Sequence, residues 1–137
     1  MSEPIVNTDE FVFVPKQALV MLLPDETSAR QMWVVLADMN VALEDVRILA
    51  GATGAKLLDA RGERHGTVAR FFRVMQHVGS GENALHIYEE GLKNGGAVMI
   101  VPCERDAAIP VVRAAEQNGG RAAAYFGRGT LEVLSQP

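Results

Sequence analysis

Apolar positions in this chain follow two rhythms, and the switch between them divides it into elements. Ala18 to Leu23 (ALVMLL), Val46 to Ala50 and Ala97 to Val101 (AVMIV) are short runs apolar at both alternations. That is the pattern of buried strands, and Pro24, Gly51 and Pro102 stop them. After the first run Asp25 stands where a helix N-cap belongs, with Glu26 in the first turn to favour the dipole. Ala29, Met32, Trp33, Leu36 and Met39 then recur at helical spacing, which predicts a helix through Asn40. The last third repeats the plan. A helix is expected from about Asp106 to Asn118, with Ile109, Val112 and Ala115 inward. Pro110 must lie within its first turn or bend it, because proline has no N–H to donate. Gly119-Gly120 supplies a left-handed C-cap, and Arg121 to Phe126 reads as the returning strand. Leu131 to Leu134 adds a short edge strand.

Two strand–helix–strand units predict an α/β fold (an α+β sandwich) of ferredoxin-like type, a four-stranded sheet with helices on one face. The two halves are joined by a long insertion, residues 51–96, in place of a short hairpin. It reads as an irregular loop, a helix from about Gly66 to Val78, a Gly79-Ser80-Gly81 break, and a helix from Glu82 to Asn94. Leu85, Tyr88 and Leu92 form the stripe of the second helix. The alternative is a small doubly wound sheet, disfavoured because neither first loop carries a phosphate-binding glycine fingerprint. Residues 1–10 read as a polar tail, and Phe11 to Val14 as an edge strand or packed tail stopped by Pro15. The division is therefore 1–17 as tail or short edge strand and 18–134 as one domain.

Composition agrees with one globular domain: 137 residues, 48% hydrophobic and 22% charged, enough to bury a core without disulfides or structural metal. A formal net charge of −4 argues against a general nucleic-acid or anionic-membrane surface. The single cysteine, Cys103, has no internal disulfide partner, which suits a reducing compartment. The opening MSEPIVNTDE has no signal-peptide pattern, and no run approaches the roughly 18 apolar residues of a membrane helix. The expectation is a cytoplasmic protein without a membrane partner.

Polar chemistry concentrates in Leu57 to Arg73 (LLDARGERHGTVARFFR). On a helix, Val68, Phe71, Phe72, Met75 and Val78 fall on one apolar face, while Arg70, Arg73 and His77 share another. His65 and Gly66 stand at the helix start, where free N–H groups and the dipole favour an anion, and Arg61 and Arg64 come just before. His65, Gly66, Arg70 and Arg73 are thus candidates to hold a phosphate or carboxylate. Asp59 and Gly62 would shape the entering turn, and Asp59 could orient His65 as in general acid–base machinery. The competing reading is a solvated arginine face and an aspartate-fixed turn.

Other polar groups add less. Ser80, in Val-Gly-Ser-Gly-Glu, lacks the G-x-S-x-G elbow and is better placed as a helix cap. His65, His77, His86 and Cys103 have no metal-ligand spacing, so neither metal nor cofactor is expected. Glu104 and Asp106 beside Cys103 favour a passive thiol. Gly51 to Lys56 (GATGAK) lacks phosphate-loop spacing and reads as a strand-end turn. Arg121 to Gly129 (RAAAYFGRG) offers two aromatics and two arginines that could stack a base, but Ala18 to Leu23 supplies no matching aromatics. Trp33 reads as core.

Leu58-Asp59, Gly62, His65-Gly66, Arg70, Arg73, then Tyr88-Glu89-Glu90-Gly91-Leu92 and Gly95, then Tyr125-Phe126-Gly127, together resemble a group of small bacterial proteins. That group is similar to the general-stress-protein domain, the YflT-like heat-induced proteins, and the resemblance spans about residues 18–134. Many of its members continue the Tyr-Phe-Gly turn with tryptophan, where this chain has Arg128-Gly129-Thr130. The resemblance implies a compact α/β domain with a stress association and supplies no catalytic residues. With no complete catalytic set in view, the leading expectation is a non-enzymatic accessory domain binding a partner protein or a small anionic ligand. A small-ligand enzyme or sensor using His65, Arg70 and Arg73 is the alternative, and single-stranded nucleic-acid binding comes third. Exposed sheet edges predict a homodimer through the last strand.

Overall fold

A computed structural model describes residues 3–8, 11, 15–58 and 67–137 of the chain. In chain order its elements are β1 (Ile5–Val6), β2 (Gln17–Leu23), α1 (Glu26–Leu36) and β3 (Arg47–Ala50), then α2 (Gly51–Leu58), α3 (Thr67–Gln76) and α4 (Gly81–Lys93). They are followed by β4 (Ala97–Pro102), α5 (Arg105–Gln117), β5 (Arg121–Gly127) and β6 (Thr130–Val133). The result is an α+β fold on one six-stranded mixed sheet of order β1-β3-β4-β2-β5-β6. Only β1 and β3 run parallel, and every other neighbouring pair is antiparallel. That pattern departs from a doubly wound parallel sheet.

Alternation within each strand explains the layers. Ala18, Val20 and Leu22 of β2 point to one face with Val98, Ile100, Ala124 and Phe126, and there they meet Leu58, Phe71, Phe72, Met75, Leu85, Tyr88 and Leu92. Leu19, Met21 and Leu23 point to the other face, against Met32 and Leu36 of α1 and Ala108, Val111 and Ala115 of α5. Runs apolar at both alternations are what a sheet covered on both sides requires. The expectation of helices on one face is therefore corrected. The insertion α2–α4 covers the face that two strand–helix–strand units alone would leave open.

Three further readings change. Residues 51–58 form helix α2 where a turn and irregular loop were expected. Gly51, at φ +62°, lets the chain turn straight from β3 into that helix, and Gly54 lies so close to Leu49 that a Cβ would stand 2.8 Å from its carbonyl carbon. Within residues 1–17, read as tail or short edge strand with 1–10 as polar tail, Ile5–Val6 form the edge strand β1, held by Asn7, whose side chain donates to the Ala50 carbonyl and accepts from the Ala50 N–H. Phe11 is buried against Phe71, whereas residues 12–14 lie outside the described ones. Pro110 sits inside α5, past its first turn, and offers no N–H to the carbonyl four residues back.

Several local signals hold. Asp25 caps α1 by accepting from the Ser28 N–H at 2.7 Å, and that bond lowers its carboxyl pKa. Gly119 ends α5 at φ +83°. Ser80 occupies the N-cap position of α4, although its side chain makes no capping bond. Arg47 is buried, its guanidinium donating to the Glu44 and Val46 carbonyls, and burial lowers its pKa.

The bulge between β2 and β5 is the most specific feature of the core. Val20 pairs with Ala124 and Leu22 with Arg121, so β5 carries one residue more than β2 there. Ala122 takes φ +56° at this point. The Tyr88 hydroxyl, on the fully buried α4 side chain, donates to the Ala122 carbonyl at 2.7 Å and lies 3.3 Å from that of Val20. An α4 tyrosine thus satisfies backbone that the bulge disturbs.

Candidate functional site

Strand register brings one set of polar residues together at one end of the sheet. Gln17 pairs with Gly127 and Ala18 with Pro102, so the start of β2, the end of β4 and the end of β5 lie side by side. The chain leaves β4 through Cys103 and Glu104 into α5, and leaves β5 through a two-residue turn. Arg128 (φ +53°) and Gly129 (φ +76°) form that turn, as the hairpin type with two left-handed central residues requires. Thr130 fastens it by donating from Oγ1 to the Gly127 carbonyl at 2.7 Å.

A depression of about 360 Å³ opens here, lined by Gln17, Glu104, Arg105, Asp106, Tyr125, Gly127, Arg128, Thr130 and Glu132. Beside it a flatter recess of about 480 Å³ is lined by Pro15, Lys16, Gln17, Asp45, Pro102, Cys103 and Glu104. Arg105 Nε and Nη2 donate to the two carboxylate oxygens of Glu132 at 2.8 and 2.6 Å, a bidentate clamp between α5 and β6. It raises the guanidinium pKa and lowers that of Glu132. The Tyr125 hydroxyl donates to the Cys103 carbonyl at 2.8 Å, and burial raises its pKa. Burial also pushes the Cys103 thiol up to about 11, so it stays protonated at neutral pH. The surface offers fixed charges of both signs, and its thiol and phenol are in their unreactive forms.

Of the residues singled out in the sequence, Asp59, Gly62, His65 and Gly66 lie outside the described residues. Arg70 is exposed and Arg73 half-buried on α3, and neither lines the depression. His77 and His86 are exposed. Tyr125 and Phe126, read as aromatics able to stack a base, are 5% and 7% exposed, so β5 presents no aromatic platform. Trp33 is half-buried against the α1–α5 core. Among the described residues no three His, Cys, Asp or Glu side chains converge, and no helix is long and apolar enough to cross a membrane. The sequence reading missed the Arg105–Glu132 clamp. Its one local signal was Cys-Glu-Arg-Asp where a strand passes into a helix, and Glu132 is 27 residues away.

Fold and site together define an α+β domain with helices on both sheet faces and a mixed-charge surface at one sheet end. Comparison with known proteins finds no matching family model, no similar curated protein and no similar solved structure.

Proposed function

We propose that this protein is a non-enzymatic accessory domain that works by binding a partner protein through the end-of-sheet surface. The observation that carries this is the character of that surface. Small-molecule sites are enclosed and mostly apolar with a few convergent polar groups. Here a recess with apolar Pro15 and Pro102 adjoins an open patch of Arg105, Asp106, Arg128 and Glu132, much of it already tied in internal bonds. An open surface that mixes apolar and charged groups suits a protein interface better than an enclosed small-molecule site.

In the same reading the fold is ferredoxin-like, two interlocked strand–helix–strand units carrying α2–α4 as an insertion. Its support is the order β3-β4-β2-β5, antiparallel throughout. A role in bacterial stress enters this proposal from the resemblance to the heat-induced stress-protein group, and cytoplasmic location from the single cysteine, Cys103, which suits a reducing compartment. A small anionic ligand is the second reading, favoured by Arg128 standing in the same depression as Arg105.

The test is affinity capture from the source cells, before and after heat challenge, with the native chain and with Asp106→Lys/Arg128→Glu. A protein retained by the native chain and lost with the double variant supports the partner reading. Equal capture by both overturns it. A melting shift with phosphate or a dicarboxylate, abolished by Arg128→Ala, replaces it with the anionic-ligand reading.

A further inference from the structure

The sheet ends in two unequal edges. β1 offers two residues, and the Asn7 side chain closes behind it onto Ala50. β6 is longer, and its ladder phase can be read directly. Thr130 is paired with Gly127 across the tight turn, and the Leu134 N–H donates to the Ala123 carbonyl. Backbone groups of Thr130, Glu132 and Leu134 therefore face β5, and those of Leu131 and Val133 face away from the sheet.

Edge strands are normally protected by lysine, proline, inward charges or shortness. From Thr130 to Gln136 this edge has no lysine and no proline. Its one charge, Glu132, is clamped by Arg105, and Val133 stands 62% exposed. An edge whose outward donors and acceptors meet no partner among the described residues, with little net charge and an exposed valine, fits a strand with the same properties.

We propose that β6 pairs antiparallel with β6 of a second copy, about a two-fold axis at Val133. Self-pairing is favoured over attachment to another edge of the same chain because β1, two residues long, is too short to receive β6. An isologous contact also closes on itself, whereas edge-to-opposite-edge contacts would string molecules into filaments. Near mid-strand a two-fold can sit at Glu132 or at Val133, since one at Leu131 would set Val133 against Gly129 of the other copy's turn and pair less of the strand. The first sets Glu132 against its own copy across the closest kind of cross-strand pair, where like charges repel. The second sets Val133 against Val133 and Glu132 against the half-buried Leu134 of the other copy. This inference stands on a different observation from the end-of-sheet reading and survives its failure.

Charge swapping at the axis tests it. Native chain should run in multi-angle light scattering at twice its 14.8 kDa. Val133→Lys and Val133→Glu should each run as monomers, since each places like charges together. Mixed in equal amounts, they should reassociate as a heterodimer. Both variants should keep the native circular dichroism spectrum, because Val133 is exposed. In the native protein, hydrogen exchange at the Leu131 and Val133 amides should slow as concentration rises. A monomeric native chain at high micromolar concentration overturns the proposal. So does a dimer that both substitutions leave intact, and failure of the mixture to reassociate overturns the Val133 axis.

Discussion

Replacing Tyr88 with phenylalanine removes one oxygen from the centre of the fold and leaves the ring in place. In the native chain that hydroxyl lies 2.7 Å from the Ala122 carbonyl and 3.3 Å from that of Val20, with no solvent exposure at Tyr88. Phenylalanine fills nearly the same volume, so no cavity contributes. What remains is the cost of a buried carbonyl losing its donor, about 1–3 kcal/mol. A chain of 137 residues unfolds with an entropy near 0.3 kcal/mol per degree, so the melting temperature should fall by roughly 3–10 °C. Urea denaturation should show a lower midpoint with an unchanged slope, since the surface exposed on unfolding is the same. Tyr88→Leu should fall further, because it adds a packing defect beneath β2 and β5. A phenylalanine variant that melts within about 1 °C of the native chain would refute the reasoning, showing that the bulge carbonyls need no donor from α4.

Three other outcomes check neighbouring parts of the structure. Burial raises the Tyr88 phenol far above its ordinary value of about 10, so its contribution to stability is complete below that pH and is lost progressively as pH climbs from there toward the raised value. Absorbance at alkaline pH should therefore show Tyr88 ionising only as the chain unfolds, and smooth ionisation in the folded state would contradict its burial. Gly91→Ala would drive a Cβ to 2.4 Å from Leu22 Cδ2 and should cost about 1–3 kcal/mol in denaturant unfolding, a neutral result disproving the close approach of α4 to β2. With its pKa at about 11, Cys103 should alkylate on the order of a hundredfold more slowly than a free thiol at pH 8.5, and at the free rate after unfolding. Rapid labelling of the folded chain would show the thiol to be open.

Local signals in the sequence reached as far as local physics decides. Strand runs apolar at both alternations, the Asp25 cap, the Gly119 stop and the stripe Leu85-Tyr88-Leu92 need only near neighbours to be read, and each stands where it was expected. Those same runs already contained the covered second face, because a sheet open on one side would have carried polar residues at alternate positions. The template of two strand–helix–strand units obscured that inference. Helix α2 was hidden because Gly51 and Gly54 look like turn residues when their uses, a left-handed start and a close approach to Leu49, are long-range facts. The Tyr88-Glu89-Glu90-Gly91-Leu92 stretch was legible as a motif of the resemblance, but its work in the fold was not. Tyr88 bonds the bulge, Gly91 admits Leu22 and Leu92 fills the core, so its distinctiveness is that of packing.

The layered arrangement narrows where this protein can make contacts. A sandwich with one bare sheet face can bind across that face, as open-faced nucleic-acid readers do. Here α2–α4 occupy one face and α1 with α5 the other, which removes both from use. What remains of the sheet is its ends and its edges. At one end the register gathers Gln17, Glu104 and Arg128 beside a clamp that fixes Arg105, and at one edge β6 turns Leu131 and Val133 backbone outward. Glu132 belongs to both places, since its side chain holds Arg105 while its backbone faces β5 between those two residues. Releasing that carboxylate would put an unbalanced charge on the edge strand and free the guanidinium in the depression at once. If the end-of-sheet surface binds a partner and β6 pairs with a second copy, the Arg105–Glu132 ion pair couples the two, and Glu132→Gln, which weakens the clamp but adds no charge to the edge, separates the two effects.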